Sequence, residues 1–318
     1  MDWPRAKTIL IIALVALNAF LYHEASVRRV LPVPEATYLT AVPVGPILEE
    51  LAAYGVEADI PGDMPPRLPA LRLLPRPQAI APETLFADGQ AVEIGQGTVG
   101  PCTGTVYTGE THKLCVSEDG WIFYALTERV DRERATPADL TEARAQVDAL
   151  FEAMGGVSAD LVGPDTTFDR RGRTFRFRYE QVIEDAAAGV LWIFPGIVEI
   201  HATGEQVVSY RQRLWDIRTG DSAPEPVMPI TNLMQRQFED RDRLVDLLDR
   251  YAGEAAGNPV MRVRLGYALG PRLAPGAGVE PAGTVAYEGR PAWQILLEGA
   301  PPLLFDAYTG EPIEAAGP

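Results

Sequence analysis

The chain has 318 residues, 47% hydrophobic and 23% charged, with 44 acidic against 28 basic side chains and a formal charge of −16 at pH 7. That balance argues against a nucleic-acid-binding protein, which needs a basic face to neutralise phosphates. An acidic surface by itself is mainly a solubility device. Roughly 290 residues follow the first apolar run, enough for two modest domains with a core each.

The chain opens MDWPRAKTILIIALVALNAFLYHE. Its apolar run, Ile9 to Tyr22, is 14 residues long and broken only by Asn18. As a helix it rises about 21 Å, against roughly 30 Å of hydrocarbon. The run is thus short for a span and long enough for the apolar part of a signal peptide. Trp3 and Tyr22 bracket it as interfacial aromatics, and Arg5 and Lys7 extend it by snorkelling. Cleavage after Ala25 or Ala19 would put His23 or Leu17 where a small residue is required. The balance favours an uncleaved anchor over a cleaved signal. The expected layout is a cytoplasmic tail over 1–7 and a transmembrane helix over 8–23, with the main part outside the cell membrane. Asn18 reads two ways: a hydrogen bond to a neighbouring helix, or tolerance near the interface.

Residues 24–101 are rich in proline, which fixes φ and removes a donor, so long regular elements are not expected. One short helix fits, Pro46 to Tyr54, stopped by Gly55. The region reads as membrane-proximal. Next come Cys102 and Cys115. If Thr108-Gly109 are the centre of a two-residue hairpin, Cys102 falls directly opposite Cys115 at a distance that suits a disulfide. The alternative is two unpaired, partly buried thiols.

A first module is expected over 102–218. TPADLTEARAQVDALFEAMGG is its helix, with Thr136 as cap, Pro137 in the first turn, and a stripe of Leu140, Ala143, Val147, Leu150, Phe151 and Met154. RTFRFRYEQV alternates, with Phe175, Phe177 and Tyr179 on one face and Arg176, Arg178 and Glu180 on the other. VLWIFPGIVEI is an edge strand with a bulge or two short strands, because Pro195-Gly196 interrupt it. The linker is 219–228. A second module follows over 229–313: an amphipathic helix, TNLMQRQFEDRDRLVDLLDRYAG, then MRVRLGYAL, TVAYEG, PAWQILLEG and LLFDAYTGE as strands. The expected fold is α+β: an N-terminal transmembrane helix, then two helix-plus-antiparallel-sheet modules.

The search for chemistry yields no catalytic, cofactor or metal residues. His23, His112 and His201 are the only histidines. No nucleophile elbow, zinc helix motif or phosphate loop is present. The acids of EDRDRLVDLLDR alternate with arginines as on a solvated helix face, and a calcium or substrate site is the minor alternative.

MDWPRAKTILIIALVALNAFL resembles the start of YycI-type proteins, which open with Met-Asp-Trp, a Lys-Thr-Ile step and a short apolar run holding an Asn. VRLGYAL, PAWQI and FDAYTGE are similar to that family's closing module. FRFRYEQV through SYRQRLWDI matches in pattern, whereas the Pro-rich 61–82 stretch and the Arg/Asp-rich second helix depart from the family. The resemblance implies a non-catalytic, single-pass membrane protein with an extracytoplasmic α+β domain. With a YycH-like partner, such a protein restrains the sensor histidine kinase of the YycFG (WalKR) two-component system, which governs cell-wall metabolism. Its membrane helix is implied to touch the kinase's, which selects Trp3, Arg5, Lys7, Ile12, Val15, Asn18 and Tyr22. The closing module also resembles PepSY domains. A tethered or secreted PepSY-like inhibitory or ligand-binding protein with no kinase partner is therefore the second reading. A wall-active hydrolase is the third, disfavoured by the missing catalytic set.

Overall fold

The computed structural model describes residues 44–53, 55–61, 67–76, 92–126, 139–154, 156–169, 173–186, 188–220, 222–238, 260–273, 285–297 and 301–313. The expected span 8–23, with Trp3, Arg5, Lys7, Ile12, Val15, Asn18 and Tyr22, lies outside them. Among the described residues no helix is long and apolar enough to cross a membrane.

Helix α1 (Val44–Ala53) holds Pro46 in its first turn, where the missing N–H costs no intrahelical bond. Strands β1 (Glu57–Asp59), β2 (Arg67–Leu68), β3 (Leu71–Pro75), β4 (Glu93–Val99), β5 (Cys102–Thr108), β6 (His112–Val116) and β7 (Trp121–Leu126) follow. After α2 (Leu140–Ala153) come β8 (Leu161–Asp169), β9 (Thr174–Asp185), β10 (Gly189–Ala202), β11 (Val207–Arg213), β12 (Trp215–Thr219) and β13 (Glu225–Pro226). The chain closes with α3 (Ile230–Phe238), β14 (Val260–Arg272), β15 (Tyr287–Leu297), β16 (Leu303–Asp306) and β17 (Pro312–Ile313).

The expected α+β architecture of a transmembrane helix and two helix-plus-antiparallel-sheet modules is overturned. The described chain is mostly strand, and one 15-stranded sheet runs through it in the order β12-β3-β15-β14-β10-β11-β7-β6-β5-β4. The cause lies in β10. Pro195-Gly196 do not end this strand; they sit at a register shift between Ile193 and Ile197. Before the shift, Trp192 and Ile193 pair in parallel with Gly266 and Tyr267 of β14. After it, Ile197 to Ala202 pair antiparallel with β11. A bulge of this kind re-aims a strand without breaking it, so β10 belongs to both halves.

Two hydrophobic cores flank this shared strand. One gathers Trp215, Trp293, Leu73, Tyr267 and Leu233 under α1 and α3. The other gathers Phe177, Ile200, Tyr210 and Leu114 under α2, which contributes Ala143, Val147 and Phe151. Leu140, expected in that helical stripe, is 46% exposed because it is the first helical residue. The helix cap is Asp139 rather than Thr136: its backbone is extended and its carboxylate accepts the Thr141 N–H at 2.8 Å. The Pro-rich region also departs from expectation, since β3 is buried between β12 and β15 and places Leu71, Leu73 and Leu74 in the core. Leu71 and Leu73 alternate on one side and Leu74 is buried on the other, which suffices for a short central strand between Pro69 and Pro75.

A polar seam ties the two cores. Gln181 is fully buried; its amide donates to the Asp160 carboxylate (2.8 Å) and to the Trp215 carbonyl (2.7 Å), while its oxygen accepts the Trp215 N–H (3.0 Å). Arg76 directs its guanidinium at Asp160 (2.6 Å), Asp216 (2.9 Å), Ser158 (3.2 Å) and the Trp215 carbonyl (3.0 Å). Burial works to raise the Asp160 pKa, but hydrogen bonds from Arg76, Ser158 and Gln181 outweigh it and bring the carboxyl down to about 2.

The parallel pairing of β10 with β14 needs a glycine. A Cβ on Gly266 would run into the Trp192 carbonyl and the Phe194 ring. Gly266→Ala is expected to lose about 2 kcal/mol of stability by overpacking. Gly95→Ala in the open edge strand β4, where a Cβ meets nothing, is expected to stay within about 0.5 kcal/mol of the parent. Urea unfolding of both variants checks the contrast.

Candidate functional site

Of the residues selected from sequence, only Cys102 and Cys115 are described, and they form a disulfide with Cα atoms 6.0 Å apart. The hairpin register differs from the expected one. The turn spans Gly109 to Thr111, closed by Gly109 N–H to His112 O (2.9 Å), so Thr108 pairs with Lys113 and Val106 faces Cys115. Cys102 therefore reaches Cys115 across the sheet face rather than along a rung. The ladder ends at Thr105 and Val116; at Gly104 the chain passes over the Val116 carbonyl so closely that a Cβ would collide with it. Both cysteines are fully buried.

Cys115 faces Phe123, and the row continues through Arg211, Glu199, Arg178 and Asp165. Alternation fixes which side this is: Phe177, Tyr179, Val198, Ile200 and Tyr210 point into the core under α2, so Arg176, Arg178, Glu180, Glu199, His201, Arg211 and Arg213 point the other way. On β8 to β11 this outward face carries Arg176, Arg178, Arg211, Arg213 and His201 together with Asp165, Asp169, Glu180, Glu184 and Glu199. It is a face of mixed charge.

Two of these carboxylates, Glu199 and Glu180, are clamped. Glu199 is 6% exposed; His201 Nε2 lies 3.1 Å from one oxygen and Arg211 Nη2 2.9 Å from the other. Burial pushes its pKa up, yet the His201 hydrogen bond and the Arg211 charge prevail and hold it near 2. Glu180 accepts from Arg178 (3.0 Å) and Arg264 (2.5 Å), and Arg264 also stacks over Trp192 at 3.9 Å. Arg213 lies over two indole rings, Trp121 at 5.2 Å and Trp215 at 4.6 Å. Burial lowers its pKa, partly offset by the nearby Tyr287 and Asp119. Arg176 has no hydrogen-bond or ion-pair partner among the described residues, and the Nε atoms of Arg176, Arg211 and Arg213 are buried without one.

This arrangement suits recognition. Ser209 is the cross-strand partner of His201, yet the imidazole bonds Glu199 and not the hydroxyl. Among the described residues no group of three or more His, Cys, Asp or Glu could hold a metal ion. Sequence reasoning placed Arg176, Arg178 and Glu180 on an outward face but gave them no role. The available signal was an Arg-x-Arg-x-Glu stripe beside a Glu-x-His pair on the next strand.

No family model matches the chain, and no curated protein matches it. Among solved structures, the chain is similar to the crystal structure of an uncharacterized protein from Eubacterium rectale ATCC 33656, at 9% identity and a TM-score of 0.37, over 82% of this chain and 91% of that one.

Two predictions concern this face. Glu199 has a folded pKa below its ordinary 4.5, so its contribution to stability is complete above about pH 4.5 and disappears as pH falls toward 2. Glu199→Gln is expected to destabilise by about 3 kcal/mol at pH 7, because it leaves Arg211 without its counter-charge, and by clearly less at pH 3. Denaturant titrations at both pH values read the difference. Replacing Cys102 and Cys115 together by serine removes a loop closure and is expected to cost about 3 kcal/mol; a midpoint that equals the parent's under reducing conditions identifies the bond as the cause.

Proposed function

We propose that this protein is a non-catalytic, membrane-anchored regulator that acts with a YycH-like partner on a sensor histidine kinase controlling cell-wall metabolism. Residues 8–23 would cross the cell membrane once, with the tail in the cytoplasm and the sheet outside. The observation that carries the reading is the opening stretch MDWPRAKTILIIALVALNAFL and its likeness to YycI-type proteins. A polar side chain, Asn18, inside a short apolar run favours contact between membrane helices, since hydrocarbon offers its amide no other partner.

The outward sheet face supports the same reading from a second direction. Glu180 and Glu199 hold cations in place instead of facing a cleft, which suits contact with another protein more than turnover. A regulator of this kind acts by binding one state of a two-state kinase more tightly than the other. The membrane helix supplies one contact, with Trp3, Arg5, Lys7, Ile12, Val15, Asn18 and Tyr22 as the residues concerned, and the sheet supplies the outer lever.

Co-purification tests this. Full-length protein is expected to retain the kinase from detergent-solubilised membranes, and a chain lacking residues 1–23, exported by a substituted cleavable signal, is expected to lose most of it. Equal retention by both would remove the helix contact from the account.

A further inference from the structure

We propose that strand β4 is the contact through which two copies of this chain associate, pairing antiparallel about Gln96 so that their sheets join edge to edge. The proposal goes beyond the regulatory reading and does not depend on it.

β4 ends the sheet path and pairs with β5 alone among the described strands. The register fixes which backbone groups it leaves free. The bond from the Gly109 N–H to the His112 carbonyl makes Tyr107–Leu114 and Thr105–Val116 the hydrogen-bonded rungs toward β6. Cys102, Gly104, Val106 and Thr108 therefore bond the other way, to Val99, Gly97, Gly95 and Glu93. Ile94, Gln96 and Thr98 are left with N–H and carbonyl groups that point away from the sheet. Their side chains agree with this phase. Gln96 reaches Thr105 at 3.2 Å and Thr98 meets Thr103 at 3.0 Å, as side chains do across rungs that carry no backbone bonds. Five of the seven residues of β4 are exposed and none is buried, so no described element lies over this edge.

Sheet edges are ordinarily blunted against pairing with another chain, by proline, charge, a bulge or shortness. The other edges here are. β8 has Pro164 at a register shift and Asp165 and Asp169 beyond it. β12 is five residues long and carries Asp216 and Arg218. β1 is three residues with two acids, and β17 is two residues with a proline. β4 is seven residues long, has no proline, no basic residue and no register shift against β5, and exposes Ile94 at 69%.

Charge selects a second copy as the occupant. A chain of formal charge −16 repels its own copies over most of its surface. The β4–β5 hairpin is the exception: residues 93–108 hold a single charged side chain, Glu93. Antiparallel pairing about Gln96 sets Ile94 against Thr98 of the second copy, Gln96 against Gln96, and Glu93 against Val99. The two Glu93 carboxylates then stand about 20 Å apart, six residues along the strand, well beyond the roughly 8 Å screening length at physiological salt. The three outward residues of each copy exchange roughly six backbone hydrogen bonds. Ile94, a β-branched residue, gains a β-branched cross-strand neighbour. Edge pairing buries a small area, so the dimer is expected to be reversible and concentration-dependent.

The test is sedimentation equilibrium of the full chain in density-matched detergent micelles over a concentration series. The parent is expected to pass from one chain to two as concentration rises. Gln96→Lys sets two like charges directly opposite and is expected to weaken the dimer by roughly tenfold or more. Gln96→Pro removes an outward N–H that β5 does not use and is expected to weaken it as well. Gln96 is exposed, so the Lys variant is expected to keep the parent's circular dichroism, and it decides the matter if the Pro variant does not fold. Gln96→Cys is expected to give a disulfide-linked dimer under mild oxidation, because the pairing brings the two residues about 5.5 Å apart. A parent that stays single up to its solubility limit overturns the proposal. So does a dimer that the Lys variant leaves unchanged. The series is repeated with Asn18→Leu in each chain: a dimer lost with that change and indifferent to Gln96→Lys belongs to the opening apolar run and overturns the proposal.

Discussion

The passage of Gly266 against the Trp192 carbonyl is the constraint on which the rest of the structure depends. Two parallel pairs, Trp192 with Gly266 and Ile193 with Tyr267, are the backbone pairing of β10 with β14. Through them, β14, β15 and β3 become one sheet with β11, β7 and β6. Backbone approach at this distance excludes any Cβ. The neighbouring register shift at Pro195-Gly196 then frees the same edge of β10 for β11. One strand serves two partners in succession, and both cores hang from it.

The polar seam follows from that geometry. Where the sheet passes from one core to the other, backbone groups of β12 would be buried without partners. Gln181 satisfies both the N–H and the carbonyl of Trp215, and Arg76 binds Asp160 and Asp216 on either side. Buried polar groups of this kind are tolerated because each member is bonded. The charged outward face lies at the same passage. Arg213 ends β11 with its guanidinium over Trp215, the first residue of β12 and part of the other core.

Parts of this were legible in the sequence for clear reasons. The alternation of RTFRFRYEQV assigns Phe177 and Tyr179 to the core and Arg176 and Arg178 to the outside, because a strand has period two. The stripe of Ala143, Val147 and Phe151 identifies the buried side of α2, because a helix has period 3.6. Other parts were not legible. β3 is a buried central strand within a proline-rich stretch; local composition argues against it, and only pairing with β12 and β15 selects it. β8, LVGPDTTFD, has too little apolar periodicity to stand out and exists by pairing with β9. The disulfide was one of two sequence readings and rested on a hairpin register that does not occur; the pair forms all the same, since the departure of β5 from β6 at Gly104 is a three-dimensional event. The candidate face was half visible: its arginines pointed outward on paper, but their clamped carboxylates come from different strands.

The sequence alone determines the local facts: an apolar opening run with Asn18 inside it, the period and direction of the longest elements, the faces they bury, and a pair of cysteines thirteen residues apart. These depend on neighbours within a few residues, which is the range over which propensity and periodicity act. The tertiary structure decides the rest: that fifteen of the strands form one sheet and not two modules, that Gln181 and Arg76 sit at the seam, and that Glu199 is held by His201 and Arg211. Each of these is set by contacts between segments distant in the chain, where backbone hydrogen bonding and burial of the whole sheet outweigh any local preference.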